Sequence, residues 1–224
     1  MHACDLKDRD FKKCLREQMV QSIPQFTKGI PKLGVASIDP VDLDDISIDG
    51  NGLILKFTNA QMHGLSKTKL TDLDVEIGER NEKFNMGIIA DFSLTAKYNA
   101  DGNILILPIK GNGDALINCK NVEVAITSNI SHVNGDRGEH FKLIVPNYKY
   151  KIQSTTFNLT NLFNGNKQLA DTTLQFANQN WEQLMDDLAP PVIKQIVKTI
   201  VKYINKFFSK IPIDRMVKGY KNAS

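Results

Sequence analysis

The sixteen residues Lys83–Tyr98, KFNMGIIADFSLTAKY, alternate between apolar and polar side chains from end to end. All even-numbered positions are apolar, and seven of the eight odd-numbered positions are polar or glycine. A period of two indicates a β-strand with one buried face. At about 3.3 Å per residue this strand is about 50 Å long, whereas most strands have about 5–6 residues. Such a length predicts a strongly twisted or curled antiparallel sheet with an apolar inner face.

The segments on either side of this strand also alternate. The turn dipeptide Asp101-Gly102 predicts a hairpin that returns the chain into a strand at Ile104–Ile109. Further alternating segments lie at 53–57, 73–77, 122–130, 141–145 and 148–152. We therefore expect a long antiparallel meander over about residues 41–160, and not an alternation of strands and helices.

The last third of the chain has a helical period. From about residue 172 to 209, apolar residues recur at steps of three and four, which predicts one long helix. Pro190-Pro191 either kinks this helix or restarts it with proline in the first turn. A helix of roughly 35 residues is about 50 Å long, which matches the strand. The predicted fold class is α+β, with a strongly curved antiparallel sheet wrapped around a long C-terminal helix in a single domain, residues 1–224.

The composition is that of a folded protein. The chain has 224 residues, 42% of them hydrophobic and 24% charged, and a mean hydropathy of −0.26. The net charge of +3 argues against a nucleic-acid binder, whose domains carry a pronounced basic patch. No apolar run approaches the roughly 20 residues that span a bilayer.

The three cysteines are unevenly placed. Cys4 and Cys14 lie close together and Cys119 stands alone, which is typical of a secreted protein with one disulfide and a buried free thiol. The alternative is a cytosolic protein with three free thiols. If Cys4 and Cys14 are paired, a continuous helix would hold them about 15 Å apart, beyond the roughly 7 Å that a disulfide allows. The N-terminal helix, predicted at about 8–22, then begins at Asp8 or Asp10, and Cys4 folds back along its side.

Three glycosylation sequons begin at Asn129, Asn158 and Asn222. The chain starts directly with Met1-His2-Ala3 and Cys4, so it either never had a signal peptide or is a mature form. The sequons and the cysteines favour the mature form of a secreted glycoprotein, with Asn129 and Asn158 as the candidate sites.

No catalytic motif is present in the sequence. G-x-S-x-G, P-loop and H-E-x-x-H patterns are absent, and the cysteines and histidines lack the spacing of metal ligands. His63, His132 and His140 lie near turn signals and are interpreted as surface residues. We therefore predict no enzyme, no catalytic residue, no metal and no cofactor.

The length of the elements favours a hollow interior. A rolled sheet about 50 Å long around one helix is hard to fill with side chains, and large curled sheets tend to enclose ligand cavities. An apolar cavity suits an elongated apolar ligand. The predicted lining comes from the inward positions of the long strand and the helix: Phe84, Met86, Ile88, Phe92, Leu94, Leu188, Val192, Ile196, Ile200, Ile204 and Phe208.

Several short segments, taken in order, resemble the takeout family of secreted insect proteins, which are related to the juvenile hormone binding proteins. They are the Cys4/Cys14 pair, Ile30–Val35 (IPKLGV), Asp39-Pro40, Leu107–Gly113 (LPIKGNG), Leu162–Lys167 (LFNGNK), Asn180–Glu182 (NWE), Ala189–Pro191 (APP) and Phe208–Pro212 (FSKIP).

The resemblance implies a long helix wrapped by a curved sheet, similar to half of a tubular lipid-binding domain. It also implies a Cys4–Cys14 disulfide and an internal tunnel for a hydrophobic ligand. The hormone carriers resemble two-disulfide proteins, and Cys119 has no partner here, so a takeout-like carrier of a terpenoid, a fatty-acyl chain or a similar lipid is favoured. We expect a secreted monomer in extracellular fluid.

One alternative function is a membrane-interacting lipid-transfer protein. Its basis is a stripe of lysines at every fourth position, Lys194, Lys198, Lys202, Lys206 and Lys210. Lysine stripes are also common on solvated helix faces that flank buried ones. A third reading is a solid-core protein whose function lies on its surface.

Overall fold

A helix, a long antiparallel sheet and a second helical region follow one another along the chain. The computed structural model describes residues 2–77, 82–135, 137–144 and 146–220. In chain order the elements are β1 (Cys4–Asp5), α1 (Phe11–Thr27), β2 (Val41–Leu43), β3 (Ile46–Gly50), β4 (Leu53–His63), β5 (Lys69–Glu76), β6 (Glu82–Ile104), β7 (Leu107–Gly135), β8 (Gly138–Leu143), β9 (Asn147–Lys151), β10 (Ser154–Leu159), α2 (Lys167–Gln179), α3 (Trp181–Phe208), α4 (Ile213–Met216) and β11 (Val217–Lys218).

The sheet is built around one very long hairpin. Strands β6 and β7 have 23 and 29 residues and pair along almost their whole length. The central path runs β10-β7-β6-β4-β2, with β3 on β4, β5 on β6, and β8 and β9 on β7, all antiparallel. The predicted fold class, α+β with a curved antiparallel sheet and a C-terminal helix, is confirmed.

The turn of the central hairpin is not where the sequence predicted it. Strand β6 continues through Gly102 to Ile104, which pairs with Leu107. Gly102 has a φ of +134°, and a Cβ atom there would lie 2.0 Å from the carbonyl oxygen of Gly52. Glycine is needed at this position because two strands approach closely, and not because the chain turns.

A bulge interrupts the pairing of β6 and β7. Ala90 pairs with Val122 and Phe92 pairs with Cys119, so two residues of β7 stand opposite Asp91. The Asp91 carboxylate accepts hydrogen bonds from the backbone N–H of Asn121 at 2.8 Å and the ammonium of Lys120 at 2.9 Å. These two donors lower the pKa of Asp91.

The C-terminal helical region is broken ten residues before the prolines. Helix α2 ends at Gln179, and the Asn180 side chain donates to the carbonyl oxygen of Phe176 at 2.8 Å, which caps α2. Helix α3 then runs from Trp181 through Pro190 and Pro191 without interruption. The single predicted helix over about 172–209 is therefore two helices. Proline removes a backbone N–H donor, and the carbonyl groups that lose a partner belong to the exposed residues at 186 and 187.

Helix α3 lies across the concave side of the sheet. Its backbone approaches the strands at the margins, β2 and β3 on one side and β8 and β10 on the other, more closely than the central strand β6. The space between α3 and the middle of the sheet is therefore spanned by side chains.

Buried residues of the described chain form two hydrophobic clusters. The larger, which we call the main cluster, joins β2–β4, the second half of β6, β10 and the first turns of α3. The smaller, which we call the end cluster, contains Cys4, Phe11, Phe141, Ile213 and Val217. It lies at the end of the molecule where β1 and β11 pair.

The N-terminal arm is fastened to the end cluster. Helix α1 begins after Asp10 and ends at Thr27, compared with the predicted range of about 8–22. Cys4 pairs with Val217 in a short parallel bridge and is disulfide-bonded to Cys14, with 5.9 Å between the Cα atoms. The predicted disulfide is confirmed.

Candidate ligand-binding interior

The first half of β6 presents a row of apolar side chains that are only half-buried. Phe84, Met86 and Ile88 lie on the inward face, two residues apart, yet each keeps an intermediate exposure. Among the described residues they pack against neither the main cluster nor the end cluster. Farther along the strand, Phe92 is half-buried against the main cluster and Leu94 is 8% exposed within it.

The predicted residues of α3 lie along the side of the helix that faces the sheet. Four of them pack against the main cluster, and all four are half-buried: Leu188, Val192, Ile196 and Ile200. Phe208 packs against the end cluster. Ile204 is half-buried and belongs to neither cluster in the described part of the chain. It therefore lies between the two clusters, as Phe84, Met86 and Ile88 do.

Sequence reasoning missed the neighbours of this row on β7 and β9. In the register of the sheet, Met86 pairs with Ile126 and Ile88 pairs with Val124. Tyr148 and Tyr150 pair with the same two residues from the other side. All four of these partners are half-buried. Their alternation was visible in the sequence, but the register that places them beside the row was not.

The two tyrosines bring polar groups to this wall. Burial, together with the neighbouring phenol of Tyr148 and carboxylate of Asp186, raises the pKa of Tyr150. Two hydroxyl groups thus border an otherwise apolar wall.

Two shallow surface depressions lie elsewhere. One is bordered by Asn59, Lys97 and Asp114, and the other by Asp42, Asp45 and Gln61. Neither of these two depressions contains a residue of the predicted lining.

A buried polar cluster lies where the inward row of β6 reaches the end cluster. Glu82 is 1% exposed, and its Oε1 lies 2.7 Å from Nε2 of His132. Oε2 of Glu139 lies 3.9 Å from Nδ1 of the same imidazole, and the hydroxyl of Tyr220 lies 3.0 Å from that Nδ1. We call Glu82, His132, Glu139 and Tyr220 the polar cluster.

The polar cluster corrects the interpretation of the histidines. The side chain of His132 is 17% exposed, and His140 is 7% exposed with Nδ1 2.8 Å from the carbonyl oxygen of Phe208. Neither is a surface residue. Their position near the β7–β8 turn suggested exposure, but one side of this hairpin packs against the end cluster.

Tyr220 keeps its proton in this environment. Burial and the charges of Glu82 and Glu139 raise the pKa of Tyr220 to about 12. The phenol is therefore neutral at physiological pH and available as a hydrogen-bond donor.

The third cysteine is a free thiol beside β10. Cys119 is half-buried, and the Thr155 hydroxyl lies 3.7 Å from its sulfur. Burial raises the pKa of the Cys119 thiol, although the hydrogen bond from Thr155 acts in the opposite direction. The protonated thiol is a poor nucleophile.

Of the predicted glycosylation sites, Asn129 and Asn158 are exposed on strands, and Asn222 lies outside the described residues. Within the ranges the structure describes, no group of three or more His, Cys, Asp or Glu side chains is arranged to hold a metal ion. The described helices include none long and apolar enough to cross a membrane.

Residues 1–218 match the sequence profile described as haemolymph juvenile hormone binding protein (JHBP). The chain belongs to this family. The circadian clock-controlled protein daywake of Drosophila yakuba is 30% identical, over 96% of this chain and 86% of that protein. The daywake protein of Drosophila melanogaster is 29% identical, over 94% and 84% of the two chains. A putative beta-carotene-binding protein of Schistocerca gregaria is 22% identical, over 94% and 85%.

A solved structure has the same fold. Takeout 1 of Epiphyas postvittana superposes with a TM-score of 0.87 at 31% identity, covering 97% of this chain and 100% of that chain. The resemblance to takeout proteins inferred from the short segments is therefore confirmed, and the chain is a takeout-like member of a family of binding proteins.

Proposed function

We propose that the protein is a secreted, non-enzymatic carrier that holds an elongated apolar molecule between α3 and the inner face of the sheet. The observation that carries the proposal is the row Phe84, Met86 and Ile88. These side chains point inward, yet they are half-buried and belong to neither hydrophobic cluster of the described chain. Large apolar side chains in that position are normally covered.

A ligand would supply the missing cover. Each methylene group taken from water contributes about 0.8 kcal/mol, so a long alkyl or terpenoid chain along this row gains several kcal/mol. The family and its relatives support an apolar ligand, since the family is named for a juvenile hormone binding protein and one relative is a putative beta-carotene-binding protein.

The first test is native mass spectrometry of the purified protein, followed by organic extraction and identification of any released compound. A stoichiometric apolar adduct supports a carrier and reports the chain length that the interior accepts. If no adduct is found, titration with a fluorescent fatty acid distinguishes an exchangeable ligand from a solid core.

A steric test locates the ligand. Ile88→Trp on β6 and Ile200→Trp on α3 add bulk on opposite walls, and we expect each to weaken ligand binding at least about tenfold, equivalent to about 1.4 kcal/mol. Ile54→Trp is the matched control because Ile54 is 57% exposed on the outer face of the sheet. Unchanged binding in both interior variants would exclude the proposed tunnel.

We further propose secretion as a glycosylated monomer into extracellular fluid. The Cys4–Cys14 disulfide is typical of oxidising compartments. Asn129 and Asn158 are exposed and accessible to a glycan. A mass decrease after glycosidase treatment of protein secreted from insect cells, lost in Asn129→Gln or Asn158→Gln, would assign the occupied sequon.

A second candidate function is delivery of the ligand at a membrane. All five lysines of the stripe Lys194, Lys198, Lys202, Lys206 and Lys210 are exposed, and none forms an ion pair within the described residues. Such a stripe favours contact with anionic lipid headgroups. Flotation with anionic liposomes, but not with neutral ones, would support this function.

A further inference from the structure

We propose that Glu82 and Glu139 bind the polar end of the ligand, and that this end carries a hydrogen-bond donor such as a hydroxyl, amide or ammonium group. The inference rests on the proposed carrier function and adds the chemical class of the ligand. It also assigns a direction, with the polar end at the disulfide-bearing end of the molecule.

The position of Glu82 connects the polar cluster with the proposed tunnel. Glu82 is the next inward-facing residue after Phe84, Met86 and Ile88, and it is the only charged member of that row. Alternate residues of a strand are about 6.6 Å apart, so the row from Ile88 to Glu82 spans about 20 Å. An apolar wall of this length that ends in a carboxylate matches a molecule with a long apolar chain and one polar end.

Two carboxylate oxygens of the cluster lack donors. Oε2 of Glu82 and Oε2 of Glu139 are both shielded from solvent, and neither has a hydrogen-bond partner among the described residues. The single imidazole of His132 already lies 2.7 Å from Oε1 of Glu82. A buried carboxylate oxygen without a donor is costly, so each such group calls for an explanation. The group that is missing is a donor, because carboxylates only accept.

Tyr220 places a hydroxyl group in the polar cluster. Its hydroxyl lies 3.0 Å from Nδ1 of His132, and its ring packs edge-on against Phe141 with 6.1 Å between the centroids. A hydroxyl group on an apolar body is thus already held beside the two carboxylates.

The same charges reject other end groups. A ligand carboxylate would face two buried carboxylates, which disfavour a third negative charge. An ester has only acceptor oxygens and would leave both orphan oxygens without donors. The cluster therefore selects for alcohols over acids and esters of equal chain length.

This selectivity is measured by displacing the fluorescent probe N-phenyl-1-naphthylamine from the full chain. The competitors are hexadecan-1-ol, hexadecanoic acid and methyl hexadecanoate at neutral pH. We expect the wild-type protein to bind the alcohol about tenfold more tightly than the acid or the ester. Glu82→Gln and Glu139→Gln each bring the ratio of affinities toward one.

Glu76→Gln is the matched control, because Glu76 is exposed on β5 and pairs with Lys83, the residue next to Glu82. It leaves the alcohol-to-acid ratio unchanged. The ratio is measured within each variant, so a partly unfolded sample does not alter it. Two variants at separate positions guard against the misfolding of one.

Each outcome is decisive. Equal affinities of the wild-type protein for the three competitors overturn the head-group site but leave the carrier function intact. A preference that survives both glutamine variants also overturns it. If the probe itself does not bind, or no competitor displaces it, the carrier function fails and the head-group site fails with it.

Discussion

The two halves of strand β6 carry the same alternation of side chains but are packed differently. In the second half, Leu94, Ala96, Tyr98, Ala100 and Ile104 are all buried in the main cluster. In the first half, the inward side chains at 84, 86 and 88 are half-buried. Between these two stretches, the β7 bulge opposite Asp91 interrupts the pairing.

The difference teaches that alternation reports which face of a strand points inward, but not what fills the space beyond it. The second half of β6 is covered by protein, since side chains of β4 and β10 belong to the same cluster. In the first half, Phe84, Met86 and Ile88 belong to neither cluster of the described chain, and we assign their cover to the ligand.

The largest expected effect compares the same substitution on both sides of the boundary. Phe57 of β4 is 3% exposed in the main cluster, so we expect Phe57→Ala to lower the free energy of unfolding by about 3–5 kcal/mol. Phe84→Ala removes a half-buried ring outside both clusters, so we expect it to lower the free energy of unfolding by only about 1 kcal/mol. We expect Phe84→Ala to weaken ligand binding more than Phe57→Ala does. Urea denaturation of ligand-free protein measures both free energies of unfolding.

The slope of the urea transition is the control, since it must stay constant for the two variants to be compared. Equal losses of stability would mean that Phe84 is as tightly packed as Phe57. The proposal that a ligand covers Phe84 would then be wrong.

Removing the disulfide tests whether the end cluster is separate from the main cluster. The disulfide ties β1, and through the β1–β11 bridge also the C-terminal segment, to helix α1. Replacing Cys4 and Cys14 together by serine should cost about 2–3 kcal/mol, because a short closed loop restrains the unfolded chain. Hydrogen exchange should show that amides of α4 and β11 lose protection before those of β4. A uniform loss over both clusters would contradict a separate end cluster.

Much of the architecture follows from the sequence. The period of two over Lys83–Tyr98 predicts the long strand, and the period near 3.6 after residue 172 predicts the helical region. The fold of the N-terminal arm follows from the distance that a disulfide allows, since helix α1 must begin well after Cys4 if Cys4 is to bond with Cys14. These predictions rest on local geometry and chain length, which the sequence carries directly.

Other features depend on contacts between distant residues. Gly102 looks like a turn residue, but it is glycine because Gly52 approaches its backbone. Asn180, and not the proline pair, separates the two C-terminal helices because its side chain caps α2. The polar cluster joins residues from β6, β7, β8 and the C-terminal segment, so no local pattern reveals it. A glutamate at an inward position of an apolar row was the one available signal.

A smaller effect on stability concerns only the second half of β6, which is buried in the main cluster. Tyr98 is 3% exposed, its hydroxyl donates to the carbonyl oxygen of Thr160 at 2.6 Å, and burial raises the pKa of Tyr98 to about 12. Because the folded state holds this proton more tightly than the unfolded state, its contribution is complete below pH 10 and is lost as the pH rises toward 12. We expect Tyr98→Phe to remove a fall in stability on the order of 2 kcal/mol over that range. Denaturation curves at alkaline pH measure it, and an unchanged pH slope in the variant would show that Tyr98 ionises freely in the folded protein.

The smallest effect concerns the boundary between the two halves. The backbone N–H of Asn121 and the ammonium of Lys120 lower the pKa of Asp91, so its contribution is present above the ordinary aspartate pKa and lost as the pH falls through the lowered value. Because Asp91 is exposed, Asp91→Asn should change global stability less than any substitution above.

The informative measurement is hydrogen exchange at the Asn121 amide, corrected for intrinsic rates. We expect its protection to fall in the variant, and to fall in the wild-type protein only under acidic conditions. If the Asn121 amide is equally protected in both proteins, the carboxylate does not hold the bulge. The bulge must then be held by the apolar packing of β4 against β6 and not by the Asp91 carboxylate.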